Sequence, residues 1–196
     1  MSKAVLASLK PYFYYLVGEG IKGVEVRKNY PKAEDWSKDT YFYMSRDEKS
    51  FAKIPKEFQE KYRKHFGKVG LRFVCDRVIG TCSWRLKGKT GFCAKRTEEE
   101  TNLPITACLT LEEIEQYAGS EGRGIYAWHI TDLVVYDEPR ELSDFATVCD
   151  GEDAYKCSEC EYFNLLEKGI SIYKCLCNHL KPLKRPPQSW CYVEEL

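Results

Sequence analysis

No run of about 18 apolar residues occurs in this chain, so the sequence offers no membrane-spanning helix. It also lacks a glycine-rich dinucleotide fingerprint. Gly88-Lys89-Thr90 looks like the end of a phosphate loop, but Ser83 stands where that loop needs its first glycine, which excludes a nucleotide hydrolase of that type. With three histidines in all, no spacing justifies a Ser-His-Asp or Cys-His arrangement. Internal repeats and low-complexity tracts are missing. The apolar stretch within Met1 to Lys10 is too short for a secretory signal and reads as a first strand, so a cytoplasmic protein is expected.

Net charge is absent as well, but only as a sum. Residues 53 to 96 hold 13 Lys and Arg against 3 Asp and Glu, whereas residues 97 to 161 hold 3 against 17. The basic stretch would attract phosphates wherever it faced a ligand, and the acidic one would repel them. What is present is enough for one ordinary domain: 196 residues, 43% hydrophobic and 14% aromatic.

The pattern along the chain is mixed. Ala4 to Ser8 reads as a strand, and Pro11 opens a short helix to Val17 that Gly18 and Gly20 end. A turn-rich stretch from Asn29 to Lys38 leads to a strand at Tyr41 to Met44. Pro55 opens a second helix whose Phe58, Tyr62 and Phe66 form a stripe read as core packing. A strand is expected from Lys68 to about Trp84. Thr110 and Glu113 form a capping box for a third helix, Leu111 to Tyr117, stopped at Gly119. A last long strand runs from Gly124 to Tyr136 and breaks at Pro139. Short strands interrupted by three helices predict an α+β fold.

The most informative segment is Gly20-Ile21-Lys22-Gly23-Val24-Glu25-Val26-Arg27. A glycine turn delivers Lys22. Val24 and Val26 then alternate with Glu25 and Arg27, so one face packs and the other carries a charged pair. Lys22 sits before the alternation and is expected to swing over the mouth of a cavity lined by Glu25 and Arg27. Alternation by itself is equally the pattern of a solvated strand face.

This string resembles the G-x-K-x-x-E-x-R signature of ASCH domains, a branch of the PUA-like superfamily. Further stretches are similar to small bacterial and phage ASCH proteins, in matching order: Tyr41 to Ser45, Gly67 to Val78, Tyr126 to Pro139 with Leu142 and Phe145, and Pro186 to Val193. The resemblance implies a PUA-like mixed β-barrel with flanking helices over residues 1 to 146 and a return to it over 182 to 196. It implies an RNA-related nucleic-acid or nucleotide-binding protein with Lys22, Glu25, Arg27, Ser45 and Trp128 at its ligand. Tyr126 and Trp190 are further candidates for stacking a base. The alternative is a small amidohydrolase acting on an acylated nucleoside through Lys22 and Glu25. In that enzyme, which acts on N4-acetylcytidine, a threonine stands where this chain has Glu25. His129, between Trp128 and Ile130, reads as a hydrogen-bonded structural residue rather than an acid or base.

Residues 147 to 181 interrupt the resemblance with a cysteine-rich insertion. Cys157 and Cys160 have the two-residue gap of a metal knuckle, and Cys175 and Cys177 supply a second pair, with Cys149 and His179 nearby. In a chain without a signal peptide these are thiols before they are disulfides. A structural zinc is expected; unliganded thiols and a redox pair are the other readings. Cys75, Cys82, Cys93, Cys108 and Cys191 are assigned no chemistry.

Overall fold

The computed structural model describes residues 3–32, 36–81, 83–86, 89–92, 103–119, 125–148 and 180–196, with side chains described throughout except in 81–92 and at 148. In chain order the elements are β1 (Lys3–Leu9), α1 (Pro11–Gly18), β2 (Val24–Arg27), β3 (Trp36–Met44), α2 (Glu48–Phe51), α3 (Lys56–Arg63), β4 (Val69–Val74) and β5 (Val78–Thr81). There follow β6 (Ser83–Leu86), β7 (Lys89–Phe92), α4 (Leu103–Ala107), α5 (Leu111–Ala118), β8 (Ile125–His129), β9 (Thr131–Arg140), a 3-10 turn (Leu142–Asp144), β10 (Phe145–Val148), β11 (Leu180–Pro182) and β12 (Trp190–Glu195).

A seven-stranded sheet in the order β11-β10-β12-β1-β3-β4-β9 adjoins a three-stranded sheet in the order β2-β8-β5, and β6 and β7 pair antiparallel. The two larger sheets share strands. Val74 faces Thr131 in one ladder and Val78 faces Trp128 in the next, so β4 with β5, and β8 with β9, form one long antiparallel pair bent at Cys75–Arg77 and Ile130. Trp128 of β8 packs in one cluster with Phe42, Leu71 and Phe73 of the larger sheet. This is the mixed, strand-rich α+β body expected from the sequence.

Apolar alternation decides where each face goes. Val5, Ala7 and Leu9 of β1 pack with Phe42, Met44, Leu71, Phe73 and the α1 tyrosines, while Ala4 and Leu6 pack on the opposite face with Tyr41, Tyr43, Phe145 and Val193. Val24 and Val26 join a third cluster with Ile125, Ala127, Ile114 and Ala107, which binds α4 and α5 to the smaller sheet. Tyr62 is fully buried, and Phe58 and Phe66 pack beside it, so the α3 stripe is core.

Three expectations change. Five α-helices are described rather than three, because α2 and α4 span only four and five residues, too few for a periodic pattern to show. The strand from Lys68 breaks at residues 75–77, at the bend. The last long strand continues through Pro139 to Arg140. β9 is an edge strand and its register slips between Val135 and Arg140, which is where a residue without an amide hydrogen is tolerated.

Candidate functional site

The motif turn is built against two helices. Gly20 takes the left-handed backbone conformation (φ 69°), which lets the amides of Ile21 and Lys22 both return to the Leu16 carbonyl at the end of α1. The Gly23 amide donates to Thr106 O in α4 at 2.8 Å. Lys22 is therefore clamped between α1 and α4 before β2 begins, and it does not swing. Its side chain is 2% exposed, and Nζ donates to Ala107 O at 2.6 Å, lies 3.5 Å from Glu25 Oε2 and stands 5.4 Å from the centre of the Phe13 ring.

Glu25 and Arg27 point away from the cluster that holds Val24 and Val26, as the alternation requires. Both are buried. Arg27 Nε is 3.0 Å from Glu25 Oε1 but finds no aligned acceptor, so the contact is an ion pair and not a hydrogen bond. The rest of the guanidinium is committed to main chain: Nη2 donates to Ser8 O at 2.7 Å and Nη1 to Ser189 O at 3.2 Å. Arg27 thus fastens β2 to the end of β1 and to the residue preceding β12, across a seam that no ladder bridges among the described residues.

Together these side chains form the floor of a cavity of about 550 Å³. The end of β1 contributes Ser8, Leu9 and Lys10; Phe13, Leu109 and Tyr117 add apolar wall; Glu113 and Gln188 complete it. Ser45 also lines it, held by its amide on Leu9 O at 2.9 Å, and its buried hydroxyl has no partner among the described residues. Two of the three charged groups are cations, so the floor carries an excess positive charge in a desolvated setting, where Coulomb terms are strong. Burial lowers the Lys22 pKa from its ordinary value, and the Glu25 carboxylate opposes that shift. Burial raises that of the Tyr117 phenol, which also feels Arg27 and Glu25. An apolar slot with an ammonium, a carboxylate and a free hydroxyl at its base suits a flat heterocycle with polar atoms on one edge.

Lys22, Glu25, Arg27 and Ser45 are thus brought to one cavity. Trp128 is not. It is fully buried in the core, and its ring packs edge-on to Trp190 at 5.8 Å. Trp190 donates its indole N–H to Asn29 Oδ1, and Tyr126 packs on Tyr30 at 4.5 Å, so none of the three stacking candidates lines the cavity. The aromatic walls are Phe13 and Tyr117, read from the sequence only as parts of helices. Tyr117 is 39% exposed at the rim, with Lys28 Nζ 5.3 Å from its ring centre. Spacing gave no signal for Ser8, Gln188 or Tyr117: sheet order brings the first two to β2, and packing of Ile114 and Ala118 on Val24 and Val26 brings α5 with Tyr117. His129 is outside the site, with Nδ1 2.6 Å from Asp76 Oδ1, which is the structural role expected of it.

Cys157, Cys160, Cys175 and Cys177, with Cys149 and His179, lie outside the described residues. Among the described residues no group of three or more His, Cys, Asp and Glu side chains could hold a metal ion, and no helix is long and apolar enough to cross a membrane. Burial pushes the thiol of Cys75 up to about 12 and that of Cys191 up to about 11, so both are inert packing groups.

No family model and no curated protein matches the chain. Among solved structures it is similar to ASCH from Zymomonas mobilis, at 14% identity and a TM-score of 0.47 over 98% of this chain and 88% of that one. It is similar also to two mutants of that protein. The serine-to-alanine mutant gives 14% identity and a TM-score of 0.44 over 98% and 89% of the two chains. The tyrosine-to-phenylalanine mutant gives 16% and 0.41 over 70% and 72%. The chain is thus similar to ASCH structures, and its functional reading rests on the cavity's own side chains.

Proposed function

We propose that this protein is an ASCH-type nucleotide or nucleic-acid binder, RNA-related, whose cavity takes one base against Phe13 and Tyr117. The observation that carries the reading is the buried Lys22–Glu25–Arg27 set at the cavity floor beside an unpartnered Ser45 hydroxyl. Buried ion pairs contribute little net stability and often reduce it relative to apolar packing. A set of three that faces an open cavity, with a hydroxyl left unsatisfied, is better explained by a ligand than by folding. Lys22 and Ser45 donate to base-edge acceptors, and Glu25 accepts from a base amino or imino group. Arg27, whose two terminal nitrogens donate to Ser8 O and Ser189 O while Nε faces the Glu25 carboxylate, positions Glu25 rather than meeting phosphate.

A second reading, amidohydrolysis of an acylated nucleoside, is favoured by one observation: the desolvated Lys22 ammonium has a lowered pKa beside a carboxylate, an arrangement suited to proton transfer. Water would add across the amide, releasing the acid and the nucleoside amine.

One experiment tests both. A pool of modified and unmodified nucleosides, nucleotides and short RNAs is incubated with the protein, and mass spectrometry scores retained and altered species. Lys22→Met keeps an apolar stem against Phe13 and removes the charge. Retention of an unchanged species, weakened at least tenfold in that variant, is the expected result. A mass change that disappears in Lys22→Met would make the protein an enzyme, and retention indifferent to the substitution would reject the site.

A further inference from the structure

We propose that Lys22 is a covalent capture site for carbonyl compounds: its amine forms a reversible imine with an aldehyde carried on a flat aromatic ring seated in the cavity. This activity goes beyond the nucleotide reading and does not rest on it.

Lys22 is the buried amine of the cavity, and the turn that carries it is already clamped by main chain. Its own amide donates to Leu16 O at 3.0 Å and the Gly23 amide to Thr106 O at 2.8 Å. A buried ammonium is costly unless its pairs are well made, and the Glu25 carboxylate stands 3.5 Å away, longer than a charge-assisted hydrogen bond. Of the three groups around Nζ, Phe13 and Glu25 line the cavity and Ala107 does not. One N–H thus anchors the nitrogen on Ala107 O while the cavity reaches it from the side of Phe13 and Glu25.

Attack on a carbonyl needs the neutral amine and an acceptor for its proton. Burial lowers the pKa of Lys22 from its ordinary value and Arg27 acts in the same direction, while Glu25 and the Cys108 thiol oppose the shift. Glu25 Oε2 is the acceptor. Neighbouring nucleophiles lack such help: Ser45 Oγ has no partner among the described residues, and Cys108 Sγ is turned to the carbonyls of Ile21 and Ile105 at 3.5 and 3.8 Å.

The step balances without a further reactant. Nζ gives one proton to Glu25 and bonds to the carbonyl carbon. The carbonyl oxygen then leaves as water with the two hydrogens that remained on nitrogen, and the proton on Glu25 returns to the imine nitrogen, which restores the ion pair. Nothing is oxidised or reduced, and water reverses the reaction.

The walls select the ring. Phe13, Leu109 and Tyr117 offer apolar and aromatic surface in a cavity of about 550 Å³, enough for one or two rings. The Phe13 ring centre is 5.4 Å from Nζ, so a ring resting against Phe13 brings its formyl group within reach of the amine. Ser45 Oγ supplies a donor to a ring nitrogen. An open-chain 2-oxo acid leaves these walls unused.

The test incubates the protein at pH 7 with pyridine-4-carbaldehyde or with pyruvate, in the presence of cyanoborohydride to fix any imine, and maps the adducts by mass spectrometry. We expect the first aldehyde adduct on Lys22, formed about tenfold or more faster than on exposed lysines such as Lys53 and Lys56. Pyruvate should label Lys22 about tenfold more slowly than the aldehyde, and Lys22→Met should lose the fast adduct while slow surface labelling continues. The map of the wild-type adduct decides the site even where Lys22→Met fails to fold. Lys22 unlabelled, or labelled no faster than the exposed lysines, overturns the proposal, as does a folded Lys22→Met protein that takes up aldehyde at the wild-type rate. Equal labelling by pyruvate overturns the aromatic class. None of these failures touches the nucleotide reading, which is scored by retention without aldehyde or reductant.

Discussion

Arg27 reaches out of the smaller sheet to the carbonyl oxygen of Ser8, at the end of β1, in a part-buried hydrogen bond of 2.7 Å. Its second terminal nitrogen holds Ser189 O, which also accepts the Ser8 amide at 3.1 Å. Three segments from distant parts of the chain therefore meet at one guanidinium, between strands of different sheets. The same group fixes Glu25. Site and seam depend on one residue.

Arg27→Met is therefore expected to destabilise the protein by about 3–5 kcal/mol, because it leaves the buried Glu25 with one cation and removes the side-chain donors to Ser8 O and Ser189 O. Arg27→Lys keeps the charge but cannot span two carbonyls with a planar fork, so it should recover less than half of that loss. Urea unfolding curves on the three proteins check this. A lysine variant within about 0.5 kcal/mol of wild type would show that charge alone matters and that the seam is held elsewhere.

How much of this was legible beforehand depends on range. β2 was readable because its alternation is local: Val24 and Val26 enter a hydrophobic cluster and Glu25 and Arg27 do not. The α5 capping box is local too, and Thr110 and Glu113 do exchange hydrogen bonds with each other's backbone. The role of Arg27 was not readable, since Ser8 and Ser189 are 19 and 162 residues away along the chain and reach it only through the order β12-β1 in the sheet. Trp128 misled for a related reason. It stands opposite Glu25 in the β2–β8 ladder, so it shares that face, but its ring goes into the core beneath the site. A strand pattern tells which face a residue takes, not how deep the ring goes.

The cysteine-rich stretch leads to a separate expectation. β10 and β11 are paired antiparallel, with Val148 opposite Leu180. From the spacing of Cys157, Cys160, Cys175 and Cys177 we expect about one zinc per chain in protein purified without added metal, as measured by elemental analysis. Cys157→Ser with Cys160→Ser should bring the content close to zero. Metal-free protein with all five thiols of this stretch titratable would remove the knuckle.

Two glycines separate sharply in what they tolerate. A Cβ at Gly70 would lie 2.1 Å from His65 Nδ1 and 2.7 Å from the Tyr14 hydroxyl, both buried, whereas a Cβ at Gly23 would meet nothing within 4 Å. Gly70→Ala should cost about 3 kcal/mol from overpacking, and Gly23→Ala should stay within about 0.5 kcal/mol of wild type. Thermal or urea unfolding of the pair decides it. An intact Gly70→Ala protein would mean that the His65–Tyr14 contact can open at little cost.

That contact also sets a pH dependence. His65 is 1% exposed, with Nδ1 3.0 Å from the Tyr14 hydroxyl, and burial, helped by the charges of Lys64 and Lys61, pushes its pKa down to about 4. An unfolded histidine titrates near 6.5. Between those values the unfolded chain binds the proton that the native one refuses, so stability falls as the pH is lowered through this window. From pH 7 to 5 the loss attributable to His65 is about 2 kcal/mol. His65→Gln cannot titrate, so whatever its absolute stability, its urea midpoint should change less over that interval than the wild-type midpoint does. The comparison stops at pH 5 because Glu19, whose pKa is lowered by hydrogen bonds from Lys61 and Tyr62, adds its own loss at lower pH. Parallel profiles for the two proteins would mean that His65 takes up its proton in the native state as readily as in the unfolded chain, with Tyr14 turning to accept it.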